Sequence, residues 1–241
     1  MTGPAPRPLV LGHRGAPRDA VENTLDAFDE AREQGADGIE LDVHRSLDGT
    51  LVVHHDAEVA GFGILAEHDF GAIRAARPGI PTLDEVFDAC AGMLVNVEVK
   101  NSPRDADFDP ADRAAEAVVE LVRRRKLHDS VLVSSFHLPT IDRVRVLDPD
   151  VPTGYLVVVD PLPVPALEIA HEHGHGALHP HVAALGEAYA GDAVARAAEL
   201  GIDLNVWTVN EPGEIVRLAG LGVHAIITDT PREARRALGG E

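Results

Sequence analysis

Residues 35–56 read GADGIELDVHRSLDGTLVVHHD, and the organisation of the whole chain follows from them. From 38 to 43 the residues alternate. Ile39, Leu41 and Val43 fall on one side of an extended chain, Glu40 and Asp42 on the other. An apolar face needs a cover, and two acids two positions apart need a paired or metal-bound setting. No helix fits between Asp42 and Leu51. Asp48-Gly49 instead sits between two β-type runs, a strong hairpin signal. If the turn centres on Asp48-Gly49, paired residue numbers sum to 97 and Asp42 faces His55. A bulge of one residue would shift that pairing. The strand is therefore expected to overshoot a sheet edge, fold back, and return His55 beside the two acids.

Outward from this stretch, β-type runs alternate with amphipathic helical stretches. Strands are expected near 9–12, 38–43, 93–99, 131–134, 153–157, 176–179, 203–207 and 224–227. Helices fit near 24–34, 82–90, 110–126, 138–147, 164–173, 190–200, 212–220 and 231–238. Eight strand–helix pairs predict an α/β fold, one somewhat irregular (β/α)8 TIM-type barrel spanning residues 1–241, with a hairpin extension after its second strand. Asn23 reads as a helix N-cap. Thr82 with Glu85 forms a capping-box pattern, and Gly35, Gly201 and Gly222 read as helix stops. PLPVP at 161–165 reads as a loop into a helix.

The bulk numbers exclude several classes. A net charge of −19 argues against nucleic-acid binding and against electrostatic attachment to anionic membranes. Any phosphate substrate must then meet local positive charge. The start, MTGPAPRPLV, lacks a signal-peptide pattern, and no apolar run approaches a membrane span. Cys90 is the one cysteine, so no intramolecular disulfide forms. It reads as a small buried hydrophobe, and the chain as cytoplasmic. There are two lysines, Lys100 and Lys126, among 21 basic residues, a bias we attribute to genome composition.

Polar residues collect where strands end. His13-Arg14 follow the first strand, Glu40 and Asp42 lie in the second, and Glu98 and Lys100 belong to the third, NVEVK. Three converging carboxylates make a site for one hard divalent cation, Mg²⁺ or Ca²⁺, with Mn²⁺ an option. A structural ion-pair network is the alternative reading of the same residues. A histidine beside a guanidinium suits acid–base chemistry on phosphate. By the hairpin register His55 faces the acids and His54 points away.

LGHRG, ENT, GADGIELDV, DGTLVVHHD, NVEVK, SSF, NVWTVN and IITDTP, in this order over residues 9–232, resemble the glycerophosphodiester phosphodiesterase family. The resemblance implies an irregular β/α barrel that uses a divalent metal to hydrolyse glycerophosphodiesters to sn-glycerol 3-phosphate and an alcohol. It implies His13 and His55 as the acid–base pair, Glu40, Asp42 and Glu98 as metal ligands, and Arg14 and Lys100 as phosphate contacts. The chain departs from the family where an Arg-Thr pair often follows the HD motif; here it has EVAGFG.

Phe136, Trp207 and His179, at strand ends, are candidates to line a substrate pocket, against plain core packing. Glu22 is either a site residue or a helix-dipole acid. HEHGHGALHPH at 171–181 has a metal-tract look, but His171, His173 and His175 do not share a helical face. Arg123–Lys126 closes a helix and reads as solvated. Two rivals stand beside the glycerophosphodiesterase reading. One is a lysophospholipase D-like enzyme, for which GFGIL at 61–65 would supply an exposed apolar patch. The other is a non-catalytic binding barrel.

Overall fold

The computed structural model describes residues 7–160 and 162–240. Residues 1–6 of the N-terminal stretch and Pro161 of the PLPVP loop lie outside the described residues. Eight parallel strands close into a barrel: β1 (Leu9–His13), β2 (Gly38–Arg45), β6 (Leu94–Val99), β7 (Val131–Ser135), β8 (Thr153–Val157), β9 (Ala177–Pro180), β10 (Asp203–Val206) and β11 (Ala225–Thr228). Neighbours pair in chain order, and β1 closes the ring by pairing with both β11 and β2.

A helix follows each barrel strand: α1 (Leu25–Glu33), α3 (Leu83–Ala89), α4 (Arg113–Arg125), α5 (Leu138–Leu147), α6 (Pro163–Glu172), α7 (Glu187–Leu200), α8 (Pro212–Leu221) and α9 (Pro231–Ala237). The alternation in β2 is the reason for this layering. Ile39, Leu41 and Val43 pack outward in one cluster with Phe28 and Ala31 of α1, Val86 and Phe87 of α3, and Val118, Val119 and Val122 of α4. Glu40 and Asp42 are left facing the barrel axis. Cys90 lies free and buried in the same cluster, and burial pushes its thiol up to about 12.

The hairpin exists, with a different register. In β2 and β3 (Leu51–Val53), Val43 pairs with Val53, His44 with Val52 and Arg45 with Leu51, so the numbers sum to 96. The turn is a three-residue loop, Leu47-Asp48-Gly49. The Ser46 N–H bonds Thr50 O at 2.9 Å, and Gly49 takes φ +91°, which glycine permits. An odd loop shifts pairing by one, so Asp42 O accepts from the His54 N–H at 3.1 Å. β3 ends at Val53, and His55 is aimed by the turn beyond the ladder.

Residues 57–81, unassigned from sequence, form a small cap. It holds a two-strand ladder, β4 (Glu58–Val59) with β5 (Gly63–Ile64), a 3₁₀ turn, and α2 (Phe70–Ala76). Its own core unites Val52, Val59, Leu65, Ile73 and Ile80, with Phe62 and Phe70 packed against it. Within GFGIL, Leu65 is fully buried and Phe62 and Ile64 are half-buried, so the segment does not present the exposed patch a lipid-facing reading requires.

Two caps deserve separate mention. The box at Thr82 and Glu85 is present. The N-cap of α1 is Thr24, whose hydroxyl accepts from the Ala27 N–H, and not Asn23. Asn23 adopts φ +56° and turns its amide inward. The basic run at the end of α4 is solvated as expected, with Arg123, Arg124 and Lys126 exposed, and its arginines also pair: Arg123 with Asp148, Arg124 with Asp84, and Arg125 with Asp84 and Asp88.

Candidate active site

Strand register gathers the acids. Across the parallel β2–β6 ladder Asp42 lies opposite Glu98, and across β1–β2 His13 lies opposite Glu40. Paired residues on parallel strands share a face, so all four point into the barrel mouth at the C-terminal ends of the strands. One oxygen from each of Glu40, Asp42 and Glu98 can come within 4.8 Å of the others, and all three residues are buried. The cavity above them, about 180 Å³, is lined by His13, Arg14, Glu40, His55, Asn96, Glu98, Lys100, Phe136, Leu156, Trp207 and Ile227.

Six of the seven catalytic, metal-ligand and cation candidates named from sequence therefore meet at one cavity, with Asp42 beneath it. Phe136 and Trp207 also belong there, edge to face at 5.5 Å, and Trp207 Nε1–H donates to His179 O at 2.8 Å. His179 does not. It is fully buried among the barrel strands, its Nε2 lies 3.0 Å from Asn205 Nδ2, and burial drives its pKa down to about 3. Its expected place in the substrate pocket is corrected: the ring turns down into the barrel against Gly154 of the neighbouring strand, where a Cβ would meet it. His54 bonds Asp56 O at 2.8 Å and does not line the cavity.

The charges explain why a cation fits. Lys100 Nζ sits 3.0 Å from Glu98 and 3.5 Å from Asp42, and Arg14 Nε lies 3.2 Å from Asp42. Three buried carboxylates still exceed these two cations by one charge. Burial, then the Asp42 charge, pushes Glu40 up to about 8. Burial likewise raises Glu98, with Lys100 opposing. Burial would also raise Asp42, but Lys100 and Arg14 outweigh it and hold the carboxyl low. An all-oxygen donor set that gains an uncompensated negative charge once Glu40 gives up its proton suits a hard divalent ion. Both amide atoms of Asn96 are buried without hydrogen-bond partners, leaving polar groups free for a ligand.

The two imidazoles are held alike and tuned apart. His13 Nδ1 lies 2.7 Å from Asp229 Oδ1, and His55 Nδ1 lies 2.7 Å from Asp56 Oδ1. Each Nδ1–H is thus spoken for, leaving Nε2 available. Burial works against the charged form of His13, but the Asp229 bond and the Glu40 charge prevail and its pKa is raised. For His55 burial prevails, aided by Lys100 and Arg14 against the Asp42 attraction, and the pKa is lowered.

Sequence reasoning missed Asp229 and the site role of Asn23. Asp229 stands just past the last strand, where the rule that flagged the other strand-end residues would have caught it. Asn23 donates from Nδ2 to Asp42 at 2.9 Å and reads as a cap from sequence alone. Glu22 reaches Arg14 at 3.0 Å and is a site-edge residue rather than a first-turn acid. In the histidine tract, His173 bonds Asp142 at 2.9 Å and His175 packs beside it after the α6 stop, while His171 remains apart from that trio. A larger groove of about 700 Å³ runs along α1, but Asp19, Asp26, Glu30 and Glu85 line it against a single Arg74, which ill suits a phosphodiester.

Oxygen donors for a cation, two imidazoles with free nitrogens and unpartnered polar groups, all at the mouth of a closed barrel, define a metal-dependent phosphodiester hydrolase. The particular lineage follows from comparison with known proteins: the chain belongs to the glycerophosphoryl diester phosphodiesterase family, whose model matches residues 13–233. It is 31% identical over 243 residues to a glycerophosphodiester phosphodiesterase of Caldanaerobacter subterraneus, covering 92% of this chain and 94% of that one. Crystal structures of glycerophosphodiester phosphodiesterases from Thermotoga maritima and Parabacteroides distasonis superpose with TM-scores of 0.79 and 0.85 at 30% and 27% identity. The match covers 94% of this chain and 96% of the Thermotoga protein, and 98% of both chains for the Parabacteroides protein. Among the described residues, no helix is long and apolar enough to cross a membrane.

Proposed function

We propose that this chain, acting as one barrel domain in the cytoplasm, hydrolyses small glycerophosphodiesters to sn-glycerol 3-phosphate and an alcohol. The observation that carries this reading is the convergence of Glu40, Asp42 and Glu98 beneath a cavity walled by His13, His55, Arg14 and Lys100. Glu40, Asp42 and Glu98 would hold one Mg²⁺, Ca²⁺ or Mn²⁺ ion. When bound, that ion supplies charge for a phosphate oxygen and acidifies a coordinated hydroxyl.

The remaining work falls to side chains. Arg14 and Lys100 bind the phosphate. Phe136 and Trp207 form an apolar wall that excludes water from one side. His55, whose surroundings favour the neutral ring, takes at Nε2 the proton of the oxygen that bonds to phosphorus, either water's directly or the glycerol 2-hydroxyl's, with water then opening the cyclic diester. His13, whose surroundings favour the imidazolium, donates from Nε2 to the leaving alcohol oxygen as its bond to phosphorus breaks. Environments that push two pKa values apart are what assign acid and base.

The test is a panel of glycerophosphocholine, glycerophosphoethanolamine and lysophosphatidylcholine, each with Mg²⁺, Ca²⁺ or Mn²⁺, assayed for glycerol 3-phosphate. His13→Ala and His55→Ala should each lower kcat by roughly 10²–10⁴. Preference for lysophosphatidylcholine, or turnover in excess chelator, would overturn the reading.

A further inference from the structure

His44 lies on β2 two residues beyond Asp42, on the same inward face, and is buried. Its Nδ1 sits 2.6 Å from Asp107 Oδ2 and its Nε2 sits 3.1 Å from the main-chain oxygen of His55. Both neighbours are acceptors, so both ring nitrogens donate. Among the described residues no other hydrogen bond reaches the His55 main chain, which lies just past the end of β3. Asp107 comes from the loop that follows β6, the strand of Glu98. That loop is braced by Asn101, which donates to Asp109 O at 3.0 Å and Asp112 Oδ1 at 2.6 Å and accepts from the Asp109 N–H at 2.8 Å.

We infer that His44 and Asp107 are positioning residues for the reaction: the braced loop after β6 holds His44, and His44 fixes the main chain of His55 so that its ring faces the cavity. A plain core ion pair would not need to end on the one hydrogen bond available to a catalytic main chain. The His54 N–H still continues the ladder to Asp42 O, but no ladder bond reaches the main chain of His55 itself. A displacement of about 1 Å at a reacting group can cost on the order of 10²-fold in rate. The inference rests on the catalytic role proposed for His55.

The experiment uses the full chain with saturating Mg²⁺ and glycerophosphocholine. It compares His44→Ala, His44→Gln, Asp107→Ala, Asp107→Asn, His55→Ala and the His44→Ala/His55→Ala double variant. Both alanine variants at 44 and 107 should lower kcat by roughly 10- to 100-fold, with KM and Mg²⁺ affinity within about threefold. Gln keeps a donor for His55 O and Asn keeps an acceptor for His44 Nδ1, so each should recover most of the loss. In the His55→Ala background, His44→Ala should cost nothing further. Should His44→Ala fail to fold, Asp107→Ala against Asp107→Asn, both on a loop, carries the comparison. Unchanged kcat in folded alanine variants, equal loss in the alanine and conservative variants, or losses that add to that of His55→Ala would overturn it. Full activity in His55→Ala alone would instead remove the catalytic assignment itself, and that outcome is read from a separate variant.

Discussion

His13 and Asp229, 216 residues apart in sequence, share a hydrogen bond of 2.7 Å across the seam where the first and last barrel strands meet. Asp229 is itself held by Asn210 Nδ2 at 2.7 Å, so the acceptor is oriented before any substrate arrives. Closing the barrel therefore also brings His13 the partner that raises its pKa, as the general-acid role proposed for it requires.

Asp229→Asn keeps an acceptor but removes the charge, so the pKa of His13 should fall. A general acid works only while protonated, and a general base only while neutral. With His13 above its ordinary 6.5 and His55 below it, activity should be highest between, falling on the acid side as His55 protonates and on the alkaline side as His13 deprotonates. The variant should move the alkaline limb toward lower pH and leave the acid limb in place. A kcat–pH profile with both limbs unmoved would refute the role of Asp229.

Chelation should abolish activity, and Glu98→Gln should do the same by removing a ligand charge. Cation binding must also displace the proton from Glu40, which its surroundings hold near 8. Metal affinity measured by calorimetry should therefore weaken by roughly tenfold for each pH unit below 8. Affinity independent of pH from 6 to 8 would show that Glu40 gives up no proton on binding.

Lys100→Met separates two roles for one ammonium. In the structure Lys100 bridges Glu98 and Asp42. If Glu98 and Asp42 hold a divalent ion, its charge would balance theirs and leave Lys100 available to the phosphate. KM should then rise by roughly 10- to 100-fold at saturating metal, the worth of a hydrogen bond to a charged group. If only the metal titration shifts, Lys100 is a counter-ion to the acids and nothing more.

Gly15→Ala should test how the His13–Arg14 turn is seated. Gly15 has φ +91°, and a Cβ there would lie 2.6 Å from the Ala27 backbone of α1. Left-handed strain and a backbone clash together cost about 2–4 kcal/mol. A thermal melt should fall accordingly, and an unchanged Tm would mean that this turn moves freely against α1.

Much of the molecule was legible in the chain itself. Alternation in β2 placed Glu40 and Asp42 on one inward face, because side chains on a strand repeat every two residues. Eight strand–helix alternations implied the barrel, because parallel strands need helical crossovers. His13, His55, Glu98, Phe136 and Trp207 could be marked by their positions at strand ends and by family resemblance.

What the tertiary structure alone decided depends on contacts distant in sequence or on single turns. The hairpin register hung on whether the loop holds two residues or three, a choice made by Gly49 and the Ser46–Thr50 pairing. The His179 ring finds room against Gly154, two residues before its partner Leu156 on the neighbouring strand, a fact about register between strands and not about either strand alone. Asn23 became a partner of Asp42, and Asp229 of His13, only once the ring had closed. Periodicity is local and can be read along the chain; which strand end faces which is set by closure, where packing of the whole barrel chooses the neighbours.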